Sequence, residues 1–131
     1  MARNILVTGA ASGIGAEICR KLAGEHTKFL VHTRSNKQGL HEIARHIEGV
    51  GGRAEQKFSD LSIKGEGRQL IKEAVQHFDG LDVIIANAGY ANKASISDTT
   101  DAEFEEAYNT IARSFFELTT AAIPFLKRSC N

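Results

Sequence analysis

Apolar and polar positions follow two alternating rhythms along this chain. Short apolar runs of strand length occur at Asn4-Ile5-Leu6-Val7-Thr8, at Phe29-Leu30-Val31 and at Asp82-Val83-Ile84-Ile85-Ala86. Nearly unbroken apolar runs of this kind read as strands buried on both faces. Arg53 to Phe58 is weaker and more polar, the signature of an edge strand. Helical spacing fills the intervals: Ile14, Ile18 and Leu22 with Cys19 and Ala23; Leu40, Ile43, Ala44 and Ile47; Leu70, Ile71, Ala74, Val75 and Phe78. Gly24 is a stop for the first helix, and Gly49, Gly51 and Gly52 for the second. Gly65 and Gly67 blur the start of the third.

Thr100 and Glu103 stand at capping-box spacing before a last, long helix spanning 101–127. Its face runs Phe104, Tyr108, Ile111, Phe115, Leu118, Ala122, Phe125, and Pro124 is expected to kink or end it. Four strands alternating with four helices predict an α/β fold with a doubly wound parallel sheet. The expected strand order is 3-2-1-4, a Rossmann-type arrangement. At 131 residues, with no repeat or linker, residues 1–131 read as a single domain.

Composition narrows the partners. Lys plus Arg and Asp plus Glu both number 16, so charge gives no reason to expect nucleic acid or an anionic membrane as partner. No apolar run is long enough to span a bilayer, and the first residues show no signal-peptide pattern. Cys19 and Cys130 lack CxxC spacing and are expected to be free thiols in a reducing cytoplasm. The five histidines (26, 32, 41, 46, 77) show no metal-ligand spacing, so no metal site is expected.

The candidate chemistry lies in the turn after the first strand, Thr8-Gly9-Ala10-Ala11-Ser12-Gly13-Ile14-Gly15. Glycines here would permit a tight turn, close backbone approach to a diphosphate and close packing of helix on sheet. Bare N–H groups at the helix start, aided by the helix dipole, would face the phosphates. Ser12 could add a hydroxyl donor. A Walker-type loop is excluded because no Gly-Lys-Ser/Thr follows.

With this turn, the chain resembles the short-chain dehydrogenase/reductase family, and the resemblance runs through all 131 residues. Thr8, Gly9, Gly13, Ile14 and Gly15 match the family's glycine turn. Asp60-Leu61 match its Asp-Leu after the third strand, which borders the adenine in that family. Asn87-Ala88-Gly89, entered through Gly80-Leu81-Asp82-Val83, match its Asn-Ala-Gly after the fourth. Asn109 matches the Asn of its catalytic group, which positions a catalytic Lys through a water chain. Some of these residues also have plainer readings. Asp60 could cap the following helix, and Asn87-Ala88-Gly89 are turn formers in any fold.

The end of the second strand bears on which nicotinamide nucleotide would bind. An acid there would accept from the ribose hydroxyls and repel a 2′-phosphate. The sequence instead reads Val31-His32-Thr33-Arg34-Ser35-Asn36. Arg34 offers a planar donor fork suited to phosphate, with Ser35 beside it. NADP(H) is therefore favoured over NAD(H), although Ser12 stands where many NADP-using relatives carry a second basic residue. A solvated loop arginine is the alternative reading of Arg34.

The resemblance also implies a catalytic Ser, and a Tyr-x-x-x-Lys that exchanges a proton with the substrate oxygen. None falls within these residues: Tyr90 is followed by Lys93, one position short, and Tyr108 by Ala112. The chain is thus expected to stop after the fourth βα unit, before that machinery. A positioned acid or base contributes roughly 10²–10⁴-fold, so this chain alone is expected to be inactive in carbonyl/alcohol oxidoreduction. Two further readings stay open: a non-catalytic NADP(H)-binding module, and an interaction module. Self-association is expected through the long helix or the open edge of strand 4.

Overall fold

The structure is a computed structural model that describes residues 2–89 and 91–129. Tyr90 and Cys130, both considered above, lie outside the described residues. The elements follow the order β1 (Arg3–Val7), α1 (Gly13–Leu22), β2 (Thr27–Thr33), α2 (Lys37–Gly49), β3 (Arg53–Phe58), α3 (Glu66–Phe78), β4 (Val83–Ile85), α4 (Asp101–Tyr108), a π-helical turn (Asn109–Arg113) and α5 (Ser114–Leu126). The sheet is parallel throughout, in the order β3-β2-β1-β4. This is the expected Rossmann-type arrangement. Among the described residues, no helix is long and apolar enough to cross a membrane.

Both faces of the sheet are apolar because successive strand residues point to opposite sides. Ile5 and Val7 of β1 and Phe29 and Val31 of β2 pack against Ala16, Cys19, Leu40, Ile43 and Ile47 of α1 and α2. Leu6 and Leu30 face the other way, onto Leu70, Ile71 and Ala74 of α3 and Leu118 and Ala122 of α5. β4 is shorter than the predicted Asp82–Ala86. Its ladder to β1 is three pairs long, Ile5↔Val83 to Val7↔Ile85, and ends where β1 turns into the glycine loop.

The long C-terminal helix departs most from expectation. Thr100 and Glu103 do form the capping box. The regular α geometry breaks at Asn109–Arg113, ahead of Pro124, and the helix runs on through Pro124 to Leu126. In the π turn, Arg113 Nε donates to Asn109 Oδ1 at 3.0 Å, and the Ser114 hydroxyl donates to the Thr110 carbonyl. One extra residue in a turn rotates the rest of the helix by about 100°. The predicted apolar stripe is accordingly split. Leu118 and Ala122 are buried, whereas Phe104, Tyr108, Ile111 and Phe115 are about half exposed or more.

The rotation brings Ser114 and Glu117 inward instead, and Glu117 is only 1% exposed. Its carboxylate accepts from Gly65 N at 2.9 and 3.1 Å and from Gly67 N at 3.2 Å, and pairs with Arg68 Nη1 at 3.3 Å. Gly65, the N-cap of α3, has no side chain to cap those amides, so α5 supplies one from 52 residues away. Gly67 makes room for it: a Cβ there would stand 2.9 Å from the Cβ of Glu117. Replacing Glu117 with Ala strips a buried carboxylate from one buried donor, Gly67 N, and one half-buried donor, Gly65 N. It is expected to destabilise the chain by about 2–4 kcal/mol, with Glu117→Gln intermediate. Urea unfolding checks this, and a loss below about 1 kcal/mol would count against the tertiary cap.

Candidate dinucleotide site

The glycine turn emerges at the carboxyl end of β1, between its neighbours β2 and β4. It sits where the chain, having built outward from β1 through β2 to β3, crosses to the other side. Such a switch point is where open α/β sheets bind ligands. Gly9 and Gly13 both adopt positive φ, +64° and +56°. A Cβ on Gly9 would stand 2.9 Å from Ala88 Cα, so the turn is pressed against the loop after β4. At Gly15 it would stand 2.2 Å from the Gly9 carbonyl oxygen, which is how closely α1 packs on the turn. At Gly13 it would meet nothing within 4 Å. The turn is therefore crowded on its protein side and open on the other.

Neighbouring strands hold this turn by hydrogen bonds. Thr8 N donates to Ile85 O at 3.0 Å and Ala10 N to His32 O at 2.8 Å. The buried Thr8 hydroxyl accepts from both Asn87 N and Ala88 N at 3.0 Å. Asn87 Nδ2 donates to the carbonyls of Thr8 (3.2 Å) and Gly9 (3.0 Å). The Asn87 amide is thus committed inside the protein, where it shapes the turn, while Ala88 and Gly89 line the cleft beside it.

His32 completes the support. It is 2% exposed, its Nε2 lies 3.0 Å from Ser59 O, and Gly9 N approaches its Nδ1 at 3.5 Å. Only the neutral tautomer with the proton on Nε2 satisfies both contacts. Burial pushes the pKa of His32 below its ordinary 6.5, against the smaller opposing effect of the Ser59 carbonyl. The sequence alone left its charge open.

A cleft of about 160 Å³ opens along the strand ends, lined by Gly9, His32, Thr33, Arg34, Ser59, Asp60, Leu61, Ala88, Gly89 and Thr110. A larger cavity, about 630 Å³, lies at the opposite, amino ends of β1 and β4, near Asn4, Asp82 and Ser129. Of the matched residues it contains only Gly80, Leu81 and Asp82 at the entry to β4, and it lies away from the glycine turn and the helix N-terminus that attracts anions, so the smaller cleft is the candidate site.

Of the residues singled out from sequence, Gly9, Arg34, Asp60, Leu61, Ala88 and Gly89 line this cleft. Ser12 is the exposed N-cap of α1, and its hydroxyl makes no cap bond. Ile14, in the first turn, is 73% exposed. Ser35 is exposed beside Arg34 on the rim, and Asn36 caps α2 through Gly39 N at 3.0 Å. Asp60 does not cap α3, which begins only at Glu66. Its Oδ1 accepts from Ser62 Oγ (2.6 Å) and Ser62 N (2.9 Å), closing a local turn. Those bonds, led by the Ser62 hydroxyl, hold its pKa below the usual 3.8.

Asn109 does not face the cleft lining. Its side chain turns to Arg113, and the helix residue that lines the cleft is Thr110. Sequence reasoning passed over Thr110, the clamping role of His32, and Glu106, whose carboxylate meets Arg34 at 3.2 Å. Cys19 is buried within the α1 core, and burial pushes its thiol up to about 12, so it stays protonated. Among the described residues, no group of His, Cys, Asp and Glu could hold a metal ion.

A parallel 3-2-1-4 sheet with this glycine turn defines a Rossmann-type α/β protein. The short chain dehydrogenase family model matches residues 3–131. The chain belongs to that family. It is 32% identical, over 117 residues, to an uncharacterised oxidoreductase of Methylorubrum extorquens, covering 89% of this chain and 47% of the relative. Its structure is similar to that of a short-chain dehydrogenase from Burkholderia cenocepacia in complex with NADP (TM-score 0.90, 27% identity, 95% of this chain and 51% of that one). It is also similar to the NADH-dependent reductase A1-R′ complexed with NAD (TM-score 0.86, 27% identity, 97% and 53%). The chain spans about half the length of the curated relatives it matches.

Because His32 is held neutral when folded, the unfolded chain binds more protons below about pH 6.5. The stability it contributes is fully present above that pH and is lost as pH falls through it. Thermal melts from pH 7.5 to 5 should show wild type losing stability more steeply than His32→Asn. Parallel curves would rule out His32 as the source.

Proposed function

We propose that these residues form the NADP(H)-binding portion of a short-chain dehydrogenase/reductase acting on a carbonyl or alcohol. In this reading residues 1–131 make one dinucleotide-binding domain, and proton transfer to the substrate is the work of residues outside it. The observation that carries the reading is the glycine turn. It is clamped rigidly from behind, open at Gly13, and followed by a helix whose N-cap Ser12 has its hydroxyl free of any cap bond. These features fit a diphosphate, which needs bare amides, a positive helix end and room for close approach.

Gly9, Ser12, Gly13, Ile14 and Gly15 would hold the diphosphate. Arg34 and Ser35 would take the 2′-phosphate, Asp60 and Leu61 the adenine side, and Asn87, Ala88 and Gly89 the side toward the nicotinamide. The bound nucleotide would give hydride to a carbonyl in its reduced form or take it from an alcohol in its oxidised form. With its side chain on Arg113, Asn109 enters as a positioning residue only. The reading also has the chain associating through the first half of its long helix, where Phe104 and Tyr108 are exposed and their rings stack, with centroids 6.2 Å apart.

NADPH is favoured over NADH because Arg34 stands at the end of β2 where an acid would repel phosphate. Calorimetric titration with each nucleotide tests this. NADPH should bind more tightly, and Arg34→Ala should weaken NADPH by roughly tenfold while sparing NADH. Absence of binding to either nucleotide by the folded chain would overturn the reading.

A further inference from the structure

Arg34 stands between two carboxylates. Nη2 lies 3.4 Å from Asp60 Oδ2, and Nη1 donates to Glu106 Oε1 at 3.2 Å. The two acids differ in kind. Asp60 is built into its own loop through both bonds from Ser62, so its carboxylate is a fixed part of the cleft. Glu106 arrives on α4, 72 residues from Arg34, and its side chain is 37% exposed. The Arg34–Glu106 pair spans from the end of β2 to the long helix, across a cleft that Arg34 and Thr110 both line.

We propose that Glu106 sets nucleotide specificity as an internal competitor for the Arg34 guanidinium. The inference rests on the NADP(H) reading and goes beyond it, because it names a residue that limits the preference. A phosphate gripped by Arg34 takes two parallel N–H donors from one edge of the fork. Glu106 already accepts from Nη1 and Asp60 stands 3.4 Å from Nη2, so an incoming 2′-phosphate must compete with a carboxylate for the fork or bind beside its charge. One cation faces two anions at this rim before any ligand arrives. A ribose 2′-hydroxyl carries no charge and can donate to a carboxylate, so NADH meets no such opposition. Glu106 therefore narrows the gap between the two nucleotides that Arg34 opens.

The size of the effect follows from exposure. Ion pairs at half-exposed positions are weakened by solvent and salt. Removing the charge of Glu106 is accordingly worth roughly a three- to tenfold change in affinity, and less at high ionic strength.

The test is a double-mutant cycle titrated with NADPH and with NADH, using wild type, Glu106→Gln, Arg34→Ala and the double variant. Each is first checked for a wild-type circular dichroism melt, which the partly exposed position of Glu106 favours. Glu106→Gln should tighten NADPH roughly three- to tenfold and leave NADH unchanged or weaker. On the Arg34→Ala background the same substitution should change NADPH by less than about twofold. If Glu106→Gln weakens NADPH or leaves it unchanged, the competitor is refuted. Equal tightening with and without Arg34 also refutes it, because that reports general charge relief. Wild type that binds neither nucleotide sinks the NADP(H) reading and this inference together. Wild type that prefers NADPH while Glu106→Gln is silent sinks this inference alone.

Discussion

The architecture of the candidate site depends on clamping a backbone turn that cannot hold itself. A glycine-rich loop with two positive-φ residues has few contacts of its own and a large conformational entropy to lose. Here both sides are tied down. The Thr8 hydroxyl and the Asn87 amide bind the turn to the end of β4, and His32 and the Ala10 amide bind it to β2. These groups can reach the turn because the parallel register aligns the strand ends, with Val7 opposite both Val31 and Ile85. Sheet pairing and site geometry are therefore one constraint.

How legible each part was depended on how local its cause is. β1 and β2 were readable from their centres, Ile5-Leu6-Val7 and Phe29-Leu30-Val31, where burial on both faces leaves the run apolar, whereas the polar ends of β2, Thr27-Lys28 and His32-Thr33, were not. The limits of β3 were readable because an edge strand carries its polarity openly. The glycine turn was readable because its chemistry is contiguous. The split of the long helix was not: a stripe from Phe104 to Phe125 looks continuous until a π turn rotates its second half. An acid such as Glu117, two residues after Phe115, reads as solvent-facing until α3 is seen to lack a cap. The neutral state of His32 follows from burial beneath Gly9 and Ser59, which one sequence position cannot express. Arg34 and Glu106 are too far apart in sequence for any spacing rule to pair them.

On the proposed reading, the clamp and the rim would divide the work of recognition. Backbone amides of the turn would then meet only a diphosphate, which both nicotinamide nucleotides share, so however rigid the turn is it could not discriminate between them. Discrimination would fall to the rim, where the nucleotides differ by a single phosphate. There the groups are side chains at a half-exposed edge, and charge rather than shape would decide. Arg34 would supply attraction that Asp60 and Glu106, 3.4 and 3.2 Å away, would partly offset. A site built this way would hold its common element rigidly and set its preference through a few screened charges. Substitution at the rim could then shift nucleotide preference without disturbing the turn, because no hydrogen bond of the Thr8–Asn87–His32 clamp passes through Arg34 or Glu106.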